Sequence, residues 1–402
     1  MKILLSAAVA LLAASTATAG QRSDALGDPT TGSSQALTPG WSVTPALLVS
    51  RTYDDNVLLS GPGDPVERDT INVVNPRAEV GYFGRTGQLS IHYDGAFVLY
   101  SHLGTLNSYD QHASIIGKRR LSKRNSLFMT LSAAAAPTTE MLQLTGVPYV
   151  RAGVFTDTVR AGIESQASKR LTIIVGGYFD QARFEVNEIY ANVLLGGYGV
   201  GASLGMRERI SERTSLTLDA DAQHDSIGAA GAEQFNIQHV LGGVERQLTE
   251  GIRAFASAGL SRLGETPFGP ARTGPSFRLG VSEHYRSTII DVSYERSFVP
   301  SFGFGGTTQN GNLTARVRLP ITRRLYTQDL VSWQQQDPLV IAVPQLRSTW
   351  LQAAVGYTAR PELRIEAYFA GTRQTAGRID GQLLTHNQFG IQVIASKPVR
   401  IH

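Results

Sequence analysis

The chain has 402 residues, 41 of them Gly and none Cys, with 17% charged residues and a formal charge of +4. Without thiols it holds neither disulfides nor thiolate metal sites, and so small a charge gives no electrostatic case for a nucleic-acid partner. Past the first twenty residues no run approaches 18 consecutive apolar residues, so no transmembrane helix is expected.

The opening MKILLSAAVALLAASTATAG carries one Lys, a short apolar core and Ala17-Thr18-Ala19 as an A-x-A exit. These features predict a secretory signal peptide over residues 1–19, cleaved near Ala19. Its removal takes Lys2 and lowers the formal charge to +3, and export further disfavours a nucleic-acid partner. Residues 20–40, GQRSDALGDPTTGSSQALTPG, read as a flexible lead-in. Residues 41–402 form the single remaining domain.

From Trp41 onward the apolar residues alternate with polar ones. In GQLSIHYDGAFVLY, Leu89, Ile91, Tyr93, Phe97 and Leu99 share one face, and Ser90, His92 and Asp94 share the other. TSLTLDADAQHD and NLTARVRL follow the same rule. Period two sustained over ten or more residues predicts long strands with one apolar and one polar face. Short polar joints recur at 83–88, 121–126, 167–171, 210–215, 248–252, 285–289, 321–325 and 359–363, with longer loop-like stretches between them. Eight hairpins on these joints, with a first strand near 41–53 and a last near 385–401, give about 18 antiparallel strands.

Such strands suit a transmembrane outer-membrane β-barrel with short periplasmic turns and longer outer loops. An even count places both chain ends on the short-turn side. The lipid-facing surface implies outer-membrane lipids and lipopolysaccharide as surroundings. Tyr53, Tyr82, Tyr100, Tyr190, Phe298, Tyr326 and Trp350 lie near strand ends and are expected to form interfacial girdles. A β-propeller has a similar repeat length, but its blades need four short strands where each repeat here offers two long ones.

Tyr53-Asp54-Asp55-Asn56-Val57 with its long first loop, followed by VVNPRAEVGYFGRTGQLSIHYDG (73–95), resembles the start of the β-barrel porin 2 family of proteobacterial outer-membrane proteins. The resemblance implies a pore-forming outer-membrane protein. It also implies, through some relatives, an association with exopolysaccharide assembly and export machinery, and it supplies no catalytic residues. The chain ends SKPVRIH, with Phe389 inside the last strand, whereas many outer-membrane barrels end in an aromatic residue.

Gly201-Ala202-Ser203-Leu204-Gly205 matches the G-x-S-x-G nucleophile elbow, but that elbow needs a strand, a sharp turn and a helix, and no helix signal surrounds it. The expected strand instead puts Gly197, Gly199, Gly201, Ser203 and Gly205 on the lumen face, where missing side chains would widen the pore or admit a folded loop. On the next strand Asp219, Asp221, Gln223 and Asp225 share one face at intervals of about 7 Å, a spacing open to a cation or sugar hydroxyls and equally to plain lumen lining.

Arg77 with Glu79, Asp291 with Glu295, Arg316 with Arg318 and Arg364 with Glu366 fall on inward faces as hydrated charges or cross-strand pairs. His102, His112, His224 and His386 are the histidines a rim hydrolase would draw on, but no close pair at metal spacing is visible. The expectation is therefore a channel for polar solutes, which the family resemblance tilts toward saccharides, with no enzymatic activity, no cofactor and no metal. A general diffusion porin and a lipid- or peptide-cleaving barrel are the alternatives. The candidate lumen-lining residues are Arg77, Glu79, His92, Asp94, Gly197, Gly199, Gly201, Ser203, Asp219, Asp221, Arg316, Arg318, Arg364 and Glu366.

Overall fold

A computed structural model describes residues 39–142, 144, 147–185, 194–228, 233–266, 269–285, 287–339, 344–377 and 383–401. The expected signal peptide, nearly all of the lead-in, and Tyr190 lie outside the described residues. The strands are β1 (Gly40–Asp54), β2 (Asp69–Phe83), β3 (Gly87–Tyr100), β4 (Ser108–Arg120), β5 (Asn125–Ala136), β6 (Gly153–Gln166), β7 (Leu171–Glu185), β8 (Gly197–Arg209) and β9 (Thr214–Ile227). They continue as β10 (Glu233–Gln247), β11 (Ile252–Leu263), β12 (Arg272–Tyr285), β13 (Thr288–Pro300), β14 (Thr307–Pro320), β15 (Leu325–Pro338), β16 (Gln345–Arg360), β17 (Leu363–Gly377) and β18 (Leu383–Ser396).

Each strand pairs antiparallel with its sequence neighbours, and β1 pairs with both β2 and β18, so the sheet closes into an 18-stranded barrel. After Ser396 the last strand is interrupted at Pro398, which has no N–H to give the ladder. It resumes as Val399–Ile401 against the start of β1, Trp41 to Val43. The sequence-derived strand count and all eight short joints are thus observed, with the first strand beginning at Gly40.

The short turns explain themselves locally. In LSKRN, ASKRL, ISERT, LTEGI and ITRRL an apolar residue is followed by Ser or Thr, whose oxygen accepts backbone N–H groups two or three residues on. Ser122 Oγ takes the Asn125 N–H at 3.0 Å, Ser168 Oγ the Leu171 N–H at 3.0 Å, and Thr322 Oγ1 the Leu325 N–H at 3.0 Å. Ser211 and Thr249 do the same for Arg213 and Ile252. A hydroxyl that bonds its own chain ahead closes a tight turn.

The strand faces divide as alternation requires. Leu47, Val49, Phe97, Val175, Val240, Leu260, Val355 and Ile391 project from the outside and are exposed, the signature of a wall solvated by hydrocarbon. Outward aromatic residues sit near both ends: Trp41 and Tyr82, ring centroids 4.9 Å apart, with Tyr285 and Tyr357 at the turn end. At the long-loop end Tyr53, Tyr198 and Tyr109 do so, the last 4.5 Å from Phe97.

The expected girdles are corrected in part. Tyr53 and Tyr82 face outward, but Tyr326, Trp350 and Phe298 are buried inside the wall and Tyr100 points inward to Arg151. Nearness to a strand end placed these four residues in the girdle, whereas the parity of the strand decides which face they occupy. Trp350 shares its face with Ser348 and Gln352, opposite the outward Leu351.

Val240 lies at the middle of β10 on the outer face, between Ala220 and Leu260. Val240→Arg is expected to destabilise the barrel by about 2–4 kcal/mol in urea unfolding from lipid vesicles, the midplane cost of a lipid-facing charge. Thr130→Arg, pointing inward from the middle of β5, is expected to cost less than about 1 kcal/mol in the same assay.

Candidate functional site: the lumen and its inward segment

The described residues of the loop between β5 and β6, 137–142, 144 and 147–152, fold into the barrel. It contains a single helical turn, α1 (Thr139–Leu142), and is pinched at its base where Thr139 Oγ1 donates to the Pro148 carbonyl at 2.7 Å and accepts the Val150 N–H at 2.8 Å. Leu142, Leu144, Val147 and Ala152 pack with Val154 of β6, Ala182 of β7 and Leu194, all nearly inaccessible. A polar edge reaches the opposite part of the wall. The Tyr149 N–H donates to Gln374 Oε1 of β17 at 2.8 Å, and Thr372 of β17 donates to the Glu140 carboxylate. Burial pushes the Tyr149 phenol well above its ordinary pKa. The segment therefore bridges β5–β7 and β16–β18 as a crossbar.

Its anchor is His386 of β18. His386 Nδ1 lies 3.0 Å from Glu140 Oε2 and Nε2 lies 2.9 Å from Asp54 Oδ1 of β1, with all three side chains at most 5% exposed. An imidazole donating from both nitrogens carries a positive charge, so one cation is held between two carboxylates. Asp54 also accepts from Gln388 Nε2 at 2.7 Å and from the Asn56 N–H at 2.9 Å.

The rest of the Tyr53–Val57 motif works on the same seam. Asp55 accepts the backbone and side-chain N–H groups of Asn387, both at 2.7 Å. Asn56 donates to the carbonyls of Ser60 and Thr385, and Val57 packs with Ile71 and Val98. Leu59, the one non-glycine residue with positive φ among the described residues, packs with Tyr149 and Leu384. Arg151 ties the crossbar to neighbouring loops through the Leu106 carbonyl at 2.8 Å and the Tyr100 hydroxyl at 3.1 Å.

Beside the crossbar a cavity of about 1630 Å³ runs along the inner wall from β3 to β14 and opens among the short turns. Its turn-end rim is basic, with Arg85, Arg120, Arg124, Arg170 and Arg213. Deeper, charges interleave. Lys118 Nζ meets Glu164 at 2.6 Å, and Glu245 is shared by Arg207 at 3.3 Å and Arg253 at 3.2 Å. Arg160, Arg278, Asp180, Asp219, Asp221 and Glu295 complete the wall. Such a surface offers donors and acceptors in alternation to a polar solute, and its charges are spaced too closely to act as one field.

The fourteen residues singled out from the sequence separate into groups. Ser203, Asp219 and Asp221 line this cavity, as does Gly205. Arg316 and Arg318 face inward on β14 opposite Asp291 and Ile289, with Arg318 stacked 4.6 Å over the Tyr326 ring. Arg364 and Glu366 also face inward but are buried at 6% and 3%. Glu366 accepts from Tyr326 and from Gln392 Nε2, the latter at 2.5 Å. For these two, burial fits the wall-holding alternative and not the hydrated one. Arg77, Glu79, His92 and Asp94 point inward from β2 and β3, outside the cavity lining.

The glycine face is corrected as well. Gly197, Gly199, Gly201 and Ser203 do alternate inward on β8, but the space they leave is filled. A Cβ on Gly201 would strike the Tyr178 ring, and one on Gly199 the Gln223 and Asp225 side chains. Tyr178 of β7 lies across this face, its hydroxyl 3.2 Å from Gln223 Oε1 and its ring beneath Arg160. The glycines seat an aromatic ring and do not widen the pore. Ser203 sits on a straight strand opposite Gly176 and Asp221, without the elbow a nucleophile needs.

Of the four histidines considered for rim catalysis, His102 bonds Asp69, His112 bonds Asp94, His224 bonds Asn236 and His386 bonds its two carboxylates. The arrangement nearest a triad, unforeseen from the sequence, is His239 with Ser261 Oγ at 2.7 Å from Nδ1 and Asp221 at 3.9 Å from Nε2. Ser261 is wholly buried and the carboxylate is beyond hydrogen-bond reach, so this serine is closed to substrate.

No family model and no curated relative matches the chain. Solved structures similar to it come from Pseudomonas aeruginosa. OpdQ has 9% identity and a TM-score of 0.44 over 90% of this chain and 98% of its own. OprD has 12% and 0.41 over 92% and 99%, and a mutant of the ferric enterobactin receptor PfeA has 9% and 0.44 over 90% and 81%. Likeness at this level carries no information on a solute.

Glu140→Ala leaves the His386 cation with one carboxylate and frees the crossbar edge. It is expected to cost about 3–5 kcal/mol, as loss of one member of a buried ion cluster does. Hydrogen exchange would read it as lost protection at the Tyr149 and Val150 amides, with β10 to β13 unchanged.

Proposed function

We propose that this chain is an outer-membrane channel for polar solutes, with saccharides as the solute class, and that the crossbar makes it selective. One observation carries the reading. A closed barrel with an apolar exterior encloses a cavity whose wall alternates Arg, carboxylate, Ser, Thr and Gln side chains. Hydroxyl-rich solutes exchange hydrogen bonds readily along such a wall, because each position offers a donor beside an acceptor.

The outward arginines near the long-loop end, Arg51, Arg183, Arg262, Arg347 and Arg373, suit the anionic head groups of lipopolysaccharide, so that end would face the cell exterior and the turns the periplasm. Residues 53–57 and 73–95 favour membership of the β-barrel porin 2 family, and with it a part in exopolysaccharide export. Against general diffusion stands the crossbar, bonded at both sides of the lumen. A hydrolytic role finds no support, since Ser203 and Ser261 lack the surroundings of nucleophiles.

In planar bilayers the purified protein is expected to pass current, and replacing residues 139–150 with a Gly-Ser linker is expected to raise single-channel conductance. No current at any voltage from either protein would sink the channel reading. Arg160→Gln with Arg278→Gln removes two cations from the cavity wall and is expected to shift the reversal potential in a salt gradient toward cation preference. Saccharide selectivity would show as concentration-dependent block of the current by oligosaccharides, absent with the linker variant.

A further inference from the structure

Three ligating side chains converge on the inner face of β3 and β4 away from the cavity. His92 and Asp94 stand two residues apart on one strand face, and His112 lies directly opposite Asp94 on the next strand. His92 Nε2 is 3.0 Å and His112 Nδ1 3.3 Å from the same oxygen, Asp94 Oδ2. The three donor atoms all lie within 4.8 Å of one another. We propose that His92, Asp94 and His112 form a binding site for a divalent transition-metal ion, zinc above all, on the inner wall of the barrel.

The edge lengths carry the argument. Ligands about 2.0–2.2 Å from a zinc ion stand roughly 3.0–3.5 Å apart along the edges of its polyhedron. Both N···O edges here fall in that range, and a modest turn of one imidazole closes the third. Two neutral imidazoles and one carboxylate form the donor set of open zinc sites, in which solvent or a solute completes the shell. Side-chain exposures of 22% for His92, 13% for His112 and 8% for Asp94 make the site sheltered yet reachable.

Its surroundings suit a cation. Glu79 of β2 faces His92, and Asp110 of β4 lies inward one step beyond His112. Arg77 of β2, opposite Asp94, is the one facing cation among the described residues of β2 to β4. Three carboxylates against one guanidinium leave negative charge for a divalent ion to offset. Rigid strands fix all three ligands, so little conformational entropy is lost on binding. The hydrogen-bonded cluster is then the metal-free form, with the carboxylate orienting both rings.

The test uses full-length protein folded in detergent micelles and stripped with chelator. Titration calorimetry with zinc sulfate is expected to find one equivalent per chain. Cobalt(II) is expected to give visible d–d bands displaced by zinc. His92→Ala and His112→Ala are each expected to weaken binding by more than the roughly 10–100-fold that loss of an outer hydrogen-bond partner costs. His284→Ala, at an exposed pair with Asp291, is expected to change nothing. Stoichiometric binding that survives in the double variant His92→Ala/His112→Ala would overturn the proposal, as would absence of both zinc uptake and cobalt bands in the unaltered protein. Should the variants fail to fold, the cobalt spectrum of the unaltered chain decides alone: bands of mixed imidazole and carboxylate ligation support the site, and none refutes it.

Discussion

Everything in this molecule depends on closure of the sheet. A strand edge left open in hydrocarbon would expose a row of unpaired amides and carbonyls, each costing several kcal/mol, so the first and last strands must meet in register. The backbone ladder between Ala46–Asp54 and Gln388–Ser396 achieves this, yet a ladder alone admits slippage by two residues without changing which face is apolar. What fixes the register is side-chain specific. Asp54 and Asp55 bond Gln388 and Asn387, and Asn56 reaches the Thr385 carbonyl. The most motif-like stretch of the sequence is thus the clasp of the barrel.

That clasp is continuous with the crossbar, because His386 holds Asp54 with one nitrogen and Glu140 with the other. Buried ions of this kind contribute little net stability relative to an apolar replacement, but each alternative arrangement leaves a charge unpaired at high cost. The cluster therefore acts chiefly as a device of specificity. It allows the segment after β5 to dock in one way and couples that docking to closure between strands remote in sequence.

The wall was largely legible in the sequence, since every strand must be apolar on one face only and five of the eight short turns carry their own Ser or Thr oxygen. Legibility failed where the deciding contact crosses the barrel or the sheet. Residues 137–152 look like any loop, because the partners of Glu140 lie 232 and 246 residues away and leave no local period. Gly199 and Gly201 showed a bare face but not the ring that occupies it, which comes from Tyr178 on the preceding strand. Trp350 and Tyr326 were misplaced because strand-end position was weighed above parity. His92 and His112 went unpaired because their meeting follows from hairpin register, readable only once the Leu103 to Asn107 turn is placed between them.

The lumen is accordingly divided by chemistry. From β15 through β18 and β1 the buried inward side chains are Gln, Ser and Thr interspersed with apolar residues and with the charges Asp54, Arg364, Glu366 and His386. From β6 through β14 charged pairs stay partly hydrated along the cavity. A polar solute entering from the turn end meets a basic rim, then a wall where Lys118 is already partnered by Glu164, and Arg207 and Arg253 by Glu245. Binding there exchanges one hydrogen bond for another and costs little desolvation, so the wall can hold a solute briefly without trapping it. Beside the crossbar, Leu144 and Phe302 form an apolar part of the cavity lining, where the proposed selectivity would rest on shape. On the proposed saccharide reading, a sugar ring, with one apolar face and one hydroxylated face, would meet both surfaces at once.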